Sequence, residues 1–256
     1  MSHQEKLDWA NEHLNKAFAT FIEFGKTNPY RTTTDKDESF AGNQKVERLF
    51  VRAFCDKPLP ESIGFDVGDC AHNLRSALDH LAYTLAGGST VNDTTVQFPI
   101  FTKETDYKSR LGKLKNIPPG AVTIMDSLQP YHRGDTADSG LLAMLSTLDN
   151  VDKHRRVLLT SSIASLKAIE VSERKGAVEI LVHGRNGVAF ENGAIVSTLE
   201  VILKHPGATV HVDFETVYAV ALTEPAPFFE RDVFKLLYEI GHYIAQDVFP
   251  RFEPFL

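Results

Sequence analysis

The chain has 256 residues, of which 43% are hydrophobic, and it carries a formal net charge of -7. A chain of this length and composition can bury a substantial core without disulfides or a structural metal. The acidic balance argues against a protein that coats nucleic acid or an anionic membrane, because both partners require a broad positive surface. The sequence shows no signal-peptide pattern and no run approaching the roughly 20 apolar residues of a membrane span, so we expect a cytoplasmic protein.

A helix and then a strand are predicted in the first sixty residues. Ser2 opens a capping box, and apolar residues at helical spacing continue to a stop at Asn28-Pro29. Residues 44–56 instead alternate with a period of two, which predicts an amphipathic strand. A single strand is not stable alone, so we expect this one to join the strands that follow residue 157.

Helical periodicity returns in the middle of the chain. Long helices are predicted over residues 61–86 and 139–156, and shorter ones over 103–115 and 120–128. Residues 96–101 are too short and too interrupted by proline for more than an edge strand or an extended segment. The two long segments carry the polar motifs described below, and we call them the motif helices.

From residue 157 the periodicity shortens again and predicts a sheet. Successive strands separated by turn residues, followed by a last helix over residues 227–249, indicate an antiparallel β meander with that helix across one face. The fold class is therefore α+β, with N-terminal helices, the two motif helices packed together, the meander and a C-terminal helix. We expect a single domain over residues 1–256, with a soft internal boundary near 157 between a helical part (1–156) and the sheet with its closing helix (157–256).

A row of polar side chains lies along one side of the first motif helix. At about 100° per residue, His72, Arg75, Asp79 and Tyr83 gather opposite an apolar stripe. The second motif helix turns polar near its end, and the residues that join the cluster there are Asp149, Asp152 and Arg156. Arginine pairs with carboxylates in a bidentate geometry, so we predict a polar cluster between the two helices. The cluster either fixes the register of the helices or, if one side of it is open to solvent, binds a small polar or phosphate-containing ligand.

The spacing Arg75-x4-His80 resembles the R-x4-6-H pair of HEPN proteins, small helical proteins that include many ribonucleases. The resemblance implies a metal-independent ribonuclease in which Arg75 stabilises the scissile phosphate and His80 transfers protons. It covers about one helix, and HEPN domains have no counterpart of the strands after residue 157. On a continuous helix the two side chains also point about 140° apart.

The phrases HNLRSALDHL and LDNVDKHR resemble the signature pair of a bacterial protein family to which no function has been assigned. This resemblance spans both motif helices, and it implies no activity. Whether the protein is an enzyme therefore stays open at this point.

A helical metal site is a further alternative, because carboxylates and imidazoles are spaced along both motif helices. The residues concerned are Asp69, His72, Asp79, His80, Asp149, Asp152 and His154. Arg75 and Arg156 would repel a cation there, so we predict no metal and no cofactor at this cluster. The favoured function is a ligand- or partner-binding module. The partner is not specified by the sequence, and a homodimer remains compatible with it.

Overall fold

The fold was analysed in a computed structural model, which describes residues 2–42, 44–88, 96–154, 159–174, 178–184, 188–203, 209–223 and 231–256. Its mixed helices and antiparallel strands confirm the predicted α+β class. The helices are α1 (His3–Lys26), α2 (Glu61–Leu85), α3 (Glu104–Arg110), α4 (Pro119–Ser127), α5 (Leu141–His154), α6 (Val233–Tyr243) and α7 (Phe249–Phe252). The strands are β1 (Tyr30–Ala41), β2 (Gln44–Cys55), β3 (Leu159–Arg174), β4 (Val178–Gly184), β5 (Val188–Ala189), β6 (Ala194–Leu203) and β7 (Thr209–Leu222).

The centre of the molecule is α2, which contacts α1, α5 and α6. Its apolar stripe is buried, and the fully enclosed side chains include Leu74, Leu78 and Leu81. α1 begins with the predicted capping box at Ser2 and runs antiparallel to α2, since Lys6 meets Asn73 while Lys16 meets Asp66. Both motif helices therefore lie in one helical core, and the prediction that they contact each other is confirmed.

The strands form two sheets rather than one meander. One sheet has the order β1-β2-β6-β4 and the other the order β5-β3-β7, all pairs being antiparallel. The strand predicted over residues 44–56 joins the later sheet, as expected, through its pairing with β6. The simple meander is wrong, because consecutive strands β3 and β4 belong to different sheets and because Leu159–Arg174 forms one long strand, β3, rather than two short ones.

Strand β1 was not predicted, because its side chains are mostly polar and show no apolar alternation. It pairs with β2 through a tight turn in which Gly42 has a φ of 61°. Cross-strand ion pairs support it: Lys36 Nζ lies 2.7 Å from Glu47 Oε1, and Arg52 Nε lies 2.5 Å from Asp35 Oδ2. β1 is therefore stabilised by pairing with β2, which itself belongs to a sheet, and not by a hydrophobic face of its own.

The C-terminal helix packs mainly with other helices. Asp232 caps α6, and the ring of Phe234 lies 5.7 Å from that of Phe21 on α1. α6 lies close to α2 at Gly241, where an added Cβ would be in ordinary van der Waals contact with Leu74 Cδ2 at 3.6 Å. α6 also contacts α5 and β7, so it joins the helical core and meets the sheet at β7 rather than lying across a sheet face alone. Within the described ranges, no helix combines the length and the apolar character needed to cross a membrane.

The two cysteines are both free, but they differ in environment. Cys70 on α2 is 1% exposed, and burial raises the pKa of its thiol to about 12. Cys55 at the end of β2 is partly exposed and donates to the carbonyl of Lys57 at 3.0 Å. The sequence has no CxxC or Cys/His zinc spacing and predicts two free, buried cysteines, which is correct for Cys70 and wrong for Cys55 because its side chain is only partly buried.

We predict that native protein at about pH 8 exposes one reactive thiol, because thiolate is the nucleophile and Cys70 stays protonated there. Titration with an aromatic disulfide should give one fast equivalent, and Cys55→Ser should remove it; two equally fast thiols would contradict the prediction.

The raised pKa of Cys70 also makes the free energy of unfolding depend on pH. Its contribution to stability is present below the unfolded-state pKa of roughly 8.5 and is lost progressively as the pH rises towards about 12.

Candidate functional site

The two motif helices meet through a histidine–carboxylate contact. His72 Nδ1 on α2 lies 3.0 Å from Asp149 Oδ1 on α5. The Asp149 side chain is buried, whereas that of His72 is about half exposed, and Ser76 Oγ lies 3.5 Å from His72 Nε2. The structure therefore brings together two residues of the predicted cluster, one from each helix.

A second contact holds the connecting segment 96–101 against α2. Arg75 Nη2 donates to the Phe98 carbonyl at 2.7 Å, and the Phe98 amide donates to Asp79 Oδ1 at 2.9 Å. Arg75 and Asp79 form an ion pair at 2.9 Å, one helical turn apart. The pair thus satisfies both backbone polar groups of Phe98, as a neighbouring strand would.

The far end of the same segment is fixed by Gln129, which the sequence did not identify as a site residue. Its side chain is buried, Nε2 donates to the carbonyls of Pro99 and Met125 at 2.8 Å each, and Oε1 accepts from the Phe101 amide at 3.0 Å. The sequence signal for this role is the position of the glutamine, shortly after α4 and directly before Pro130. An amide that offers both donors and an acceptor suits a position where carbonyls and an N–H must be satisfied together.

These contacts enclose a cavity of about 240 Å³ between α2, α5, segment 96–101 and the region of α3. Its lining combines charged and amide groups with a few apolar ones. The residues are Arg75, Asp79, Gln97, Phe98, Pro99, Ile100, Phe101, Arg110, Lys113, Leu114, Ser146, Asp149 and Asn150. The volume is below the roughly 300–1,000 Å³ of sites for drug-sized ligands, so the cavity suits a small ligand.

Arg75 is a nearly buried cation in the lining of this cavity. Its side chain is 12% exposed, and among the described residues its Nη1 atom has no hydrogen-bond partner although it is buried. A guanidinium offers five donors, and a buried donor without an acceptor costs about 1–3 kcal/mol, or more when the group is charged. Arg75 thus lines the cavity while one of its donors, the buried Nη1, has no acceptor among the described residues.

Two further cations in the lining of the cavity belong to the basic stretch 103–115. From the sequence alone, such a run of charges is typical of a solvent-exposed face. The two cations are Arg110 at the end of α3 and Lys113 in the 3-10 turn that follows. Other basic residues of that stretch lie outside the lining, and Lys108 instead pairs with Glu104 at 2.7 Å. In the described lining, three cationic side chains face two carboxylates, and those carboxylates already contact Arg75 and His72.

The remaining predicted site residues lie elsewhere. His80 is not among the lining residues; its charge acts instead on His3 at the start of α1, whose pKa is lowered first by burial and then by His80. Arg75 and His80 therefore do not line one cavity. Tyr83 is exposed and outside the lining. The side chain of Asp152 and the whole of Arg156 lie outside the described residues.

Tyr131 follows Gln129 in the turn after α4 and lies outside the lining of the cavity. Its hydroxyl donates to Asp126, and its ring lies 5.9 Å from that of Tyr107. Burial and then the Asp126 carboxylate raise the pKa of Tyr131. Its backbone amide also donates to the Phe101 carbonyl at 3.2 Å, so the turn after α4 holds segment 96–101 through main chain as well as side chain.

Comparison with known proteins adds no relative: the chain matches no protein-family model, no curated protein and no solved structure.

We predict that Gln129→Leu lowers the free energy of unfolding by about 2–4 kcal/mol, because it leaves one amide and two carbonyls without their partner. Gln97→Leu is the matched control, since Gln97 lies on the segment that Gln129 holds but is exposed, and it should change stability by less than about 0.5 kcal/mol. Urea unfolding followed by circular dichroism measures both. Equal effects of the two substitutions would show that Gln129 does not anchor the segment.

Proposed function

We propose that this protein is a ligand-binding module whose cavity between α2 and α5 binds a small oxyanion, and in the first place a phosphate group. The observation that carries the proposal is the buried Arg75 Nη1, which lacks an acceptor among the described residues at the wall of a cavity that Arg110 and Lys113 also line. A small rotation of the guanidinium towards the cavity lets an anionic oxygen supply the acceptor that Nη1 needs, and the bond is strengthened because it is charge-assisted.

The arrangement of the charges supports an anion rather than a cation. Both carboxylates of the described lining already have cationic or N–H partners, namely Arg75 and the Phe98 amide for Asp79, and His72 for Asp149. Arg110 and Lys113 add positive charge from the region of α3. A small oxyanion in the cavity therefore meets cations from two separate parts of the chain, and such cations are commonly used to bind phosphate and carboxylate groups.

The rigidity of the wall favours binding. Segment 96–101 is held at Phe98 by the Arg75–Asp79 pair and at Phe101 by Gln129, so the cavity exists before a ligand arrives. A preorganised site loses less conformational entropy on binding than one that must be assembled. The polar side chains of Ser146 and Asn150 complete the α5 side and offer neutral hydrogen bonds to a ligand's remaining oxygen or hydroxyl groups.

The decisive measurement is calorimetric titration of untagged protein with inorganic phosphate, and separately with acetate and citrate to distinguish phosphate from carboxylate chemistry. Arg110→Gln/Lys113→Gln should weaken binding at least tenfold, since one charge-assisted hydrogen bond is worth about 1.5–3 kcal/mol and about 1.4 kcal/mol corresponds to a factor of ten. Binding should also weaken with added salt, because Arg110 and Lys113 are exposed.

The matched control is Lys103→Gln/Lys115→Gln, which removes the same net charge from the same stretch at positions outside the lining. It should change the affinity less than twofold. Equal weakening by both double variants would attribute the effect to the general field of the protein and contradict a specific site. Absence of any heat with all three anions at millimolar concentration would overturn the proposal.

A further inference from the structure

A second cluster of ligand-type side chains lies on the other side of α2, where it packs against α1. His13 Nδ1 lies 3.2 Å from Asp66 Oδ1 and 3.7 Å from Asp69 Oδ2. One ligand atom from each of the three residues falls within 4.8 Å of the others. The contact follows from helical spacing, since Asp66 and Asp69 are three residues apart and share one face of α2.

The spacing matches the edges of a metal coordination polyhedron. Zinc binds imidazole nitrogen and carboxylate oxygen at about 2.0–2.2 Å, so two ligand atoms of a tetrahedral site lie roughly 3.3–3.6 Å apart. The two separations from His13, 3.2 and 3.7 Å, bracket that interval. All three ligand atoms lie within 4.8 Å of one another, so side-chain adjustment is needed to close them around one ion.

The buried carboxylate provides an independent indication. The Asp66 side chain is 3% exposed, and its Oδ2 atom is buried without a hydrogen-bond partner among the described residues. Its cationic partner, Lys16, reaches Oδ1 at 2.7 Å on a side chain that is 67% exposed. A buried carboxylate with an orphan oxygen is expensive unless a cation satisfies it, and an ammonium held at the end of an exposed stem is easily displaced.

We infer that His13, Asp66 and Asp69 form a binding site for a divalent transition metal ion, with zinc as the expected occupant. Imidazole together with carboxylates selects zinc-like ions over magnesium and calcium, which prefer oxygen ligands alone. Lys16 holds the position of the cation until the metal displaces it. The ion joins α1 to α2, and a fourth position remains for water because the cluster supplies three protein ligands. This site differs from the metal alternative drawn from the motif helices, since of that set it uses Asp69 alone.

The experiment uses Co²⁺ as a spectroscopic substitute for zinc, added to chelator-treated protein that carries no histidine tag. We expect visible absorption bands that saturate at one equivalent, that Zn²⁺ removes by competition, and an increase of the melting temperature in the presence of Zn²⁺. His13→Ala and Asp69→Asn should each weaken binding at least tenfold. Matched controls are His132→Ala and Asp8→Asn, both exposed positions outside the cluster, which should leave the affinity within twofold.

Lys16→Gln separates a metal site from a purely structural ion pair. If Lys16 competes for the cation position, its removal should strengthen metal binding severalfold, whereas a structural role alone predicts lower stability and no gain in affinity. Lys16 and Asp69 are exposed, so both variants are expected to fold even if His13→Ala does not, and circular dichroism verifies this. Absence of bands with the wild-type chain, unchanged binding in Asp69→Asn, or weaker binding in Lys16→Gln would each overturn the inference.

Discussion

The burial of polar groups on α2 is the constraint from which both proposed sites arise. This helix contacts α1, α5 and α6, so its polar side chains lose water on several sides. Asp66 and Asn73 are buried, and Arg75 nearly so. Because a buried polar group without a partner is costly, each of them requires a partner from another segment. α1 supplies Lys6, His13 and Lys16, and segment 96–101 supplies the backbone of Phe98.

The helical part of the fold could be predicted from the sequence because its signals are local. The capping box at Ser2 and the apolar spacing along α1 and α2 lie within a few turns of one another. The sheets could not be predicted in the same way. Residues 30–41 carry little hydrophobic alternation, and the one local hairpin signal was Gly42-Asn43 between them and residues 44–55. The pairing of β2 with β6 joins residues some 150 positions apart, and periodicity contains no information about such partners.

In the candidate site, too, the contacts that depend on local spacing could be predicted and those that depend on tertiary packing could not. The meeting of His72 with Asp149 and the pairing of Arg75 with Asp79 follow from positions on helical faces. The other residues that form the cavity do not follow from positions on helical faces. Phe98 and Gln129 lie on connecting segments whose positions are set by tertiary packing. Arg110 and Lys113 resemble their basic neighbours in sequence, and only the placement of α3 puts them in the lining of the cavity. His13 likewise gained significance from the packing of α1 on α2.

Segment 96–101 has one property that a strand of a sheet lacks. The amides of Phe98 and Phe101 are held by side chains, those of Asp79 and Gln129, rather than by a neighbouring ladder. A ladder frays from its end, one backbone bond after another, but here the side chains that hold the backbone also hold the segment that forms one wall of the cavity. Local unfolding of the segment and exposure of the cavity wall are then a single opening, and the rate at which these two amides exchange their hydrogen with solvent reports how often the wall opens.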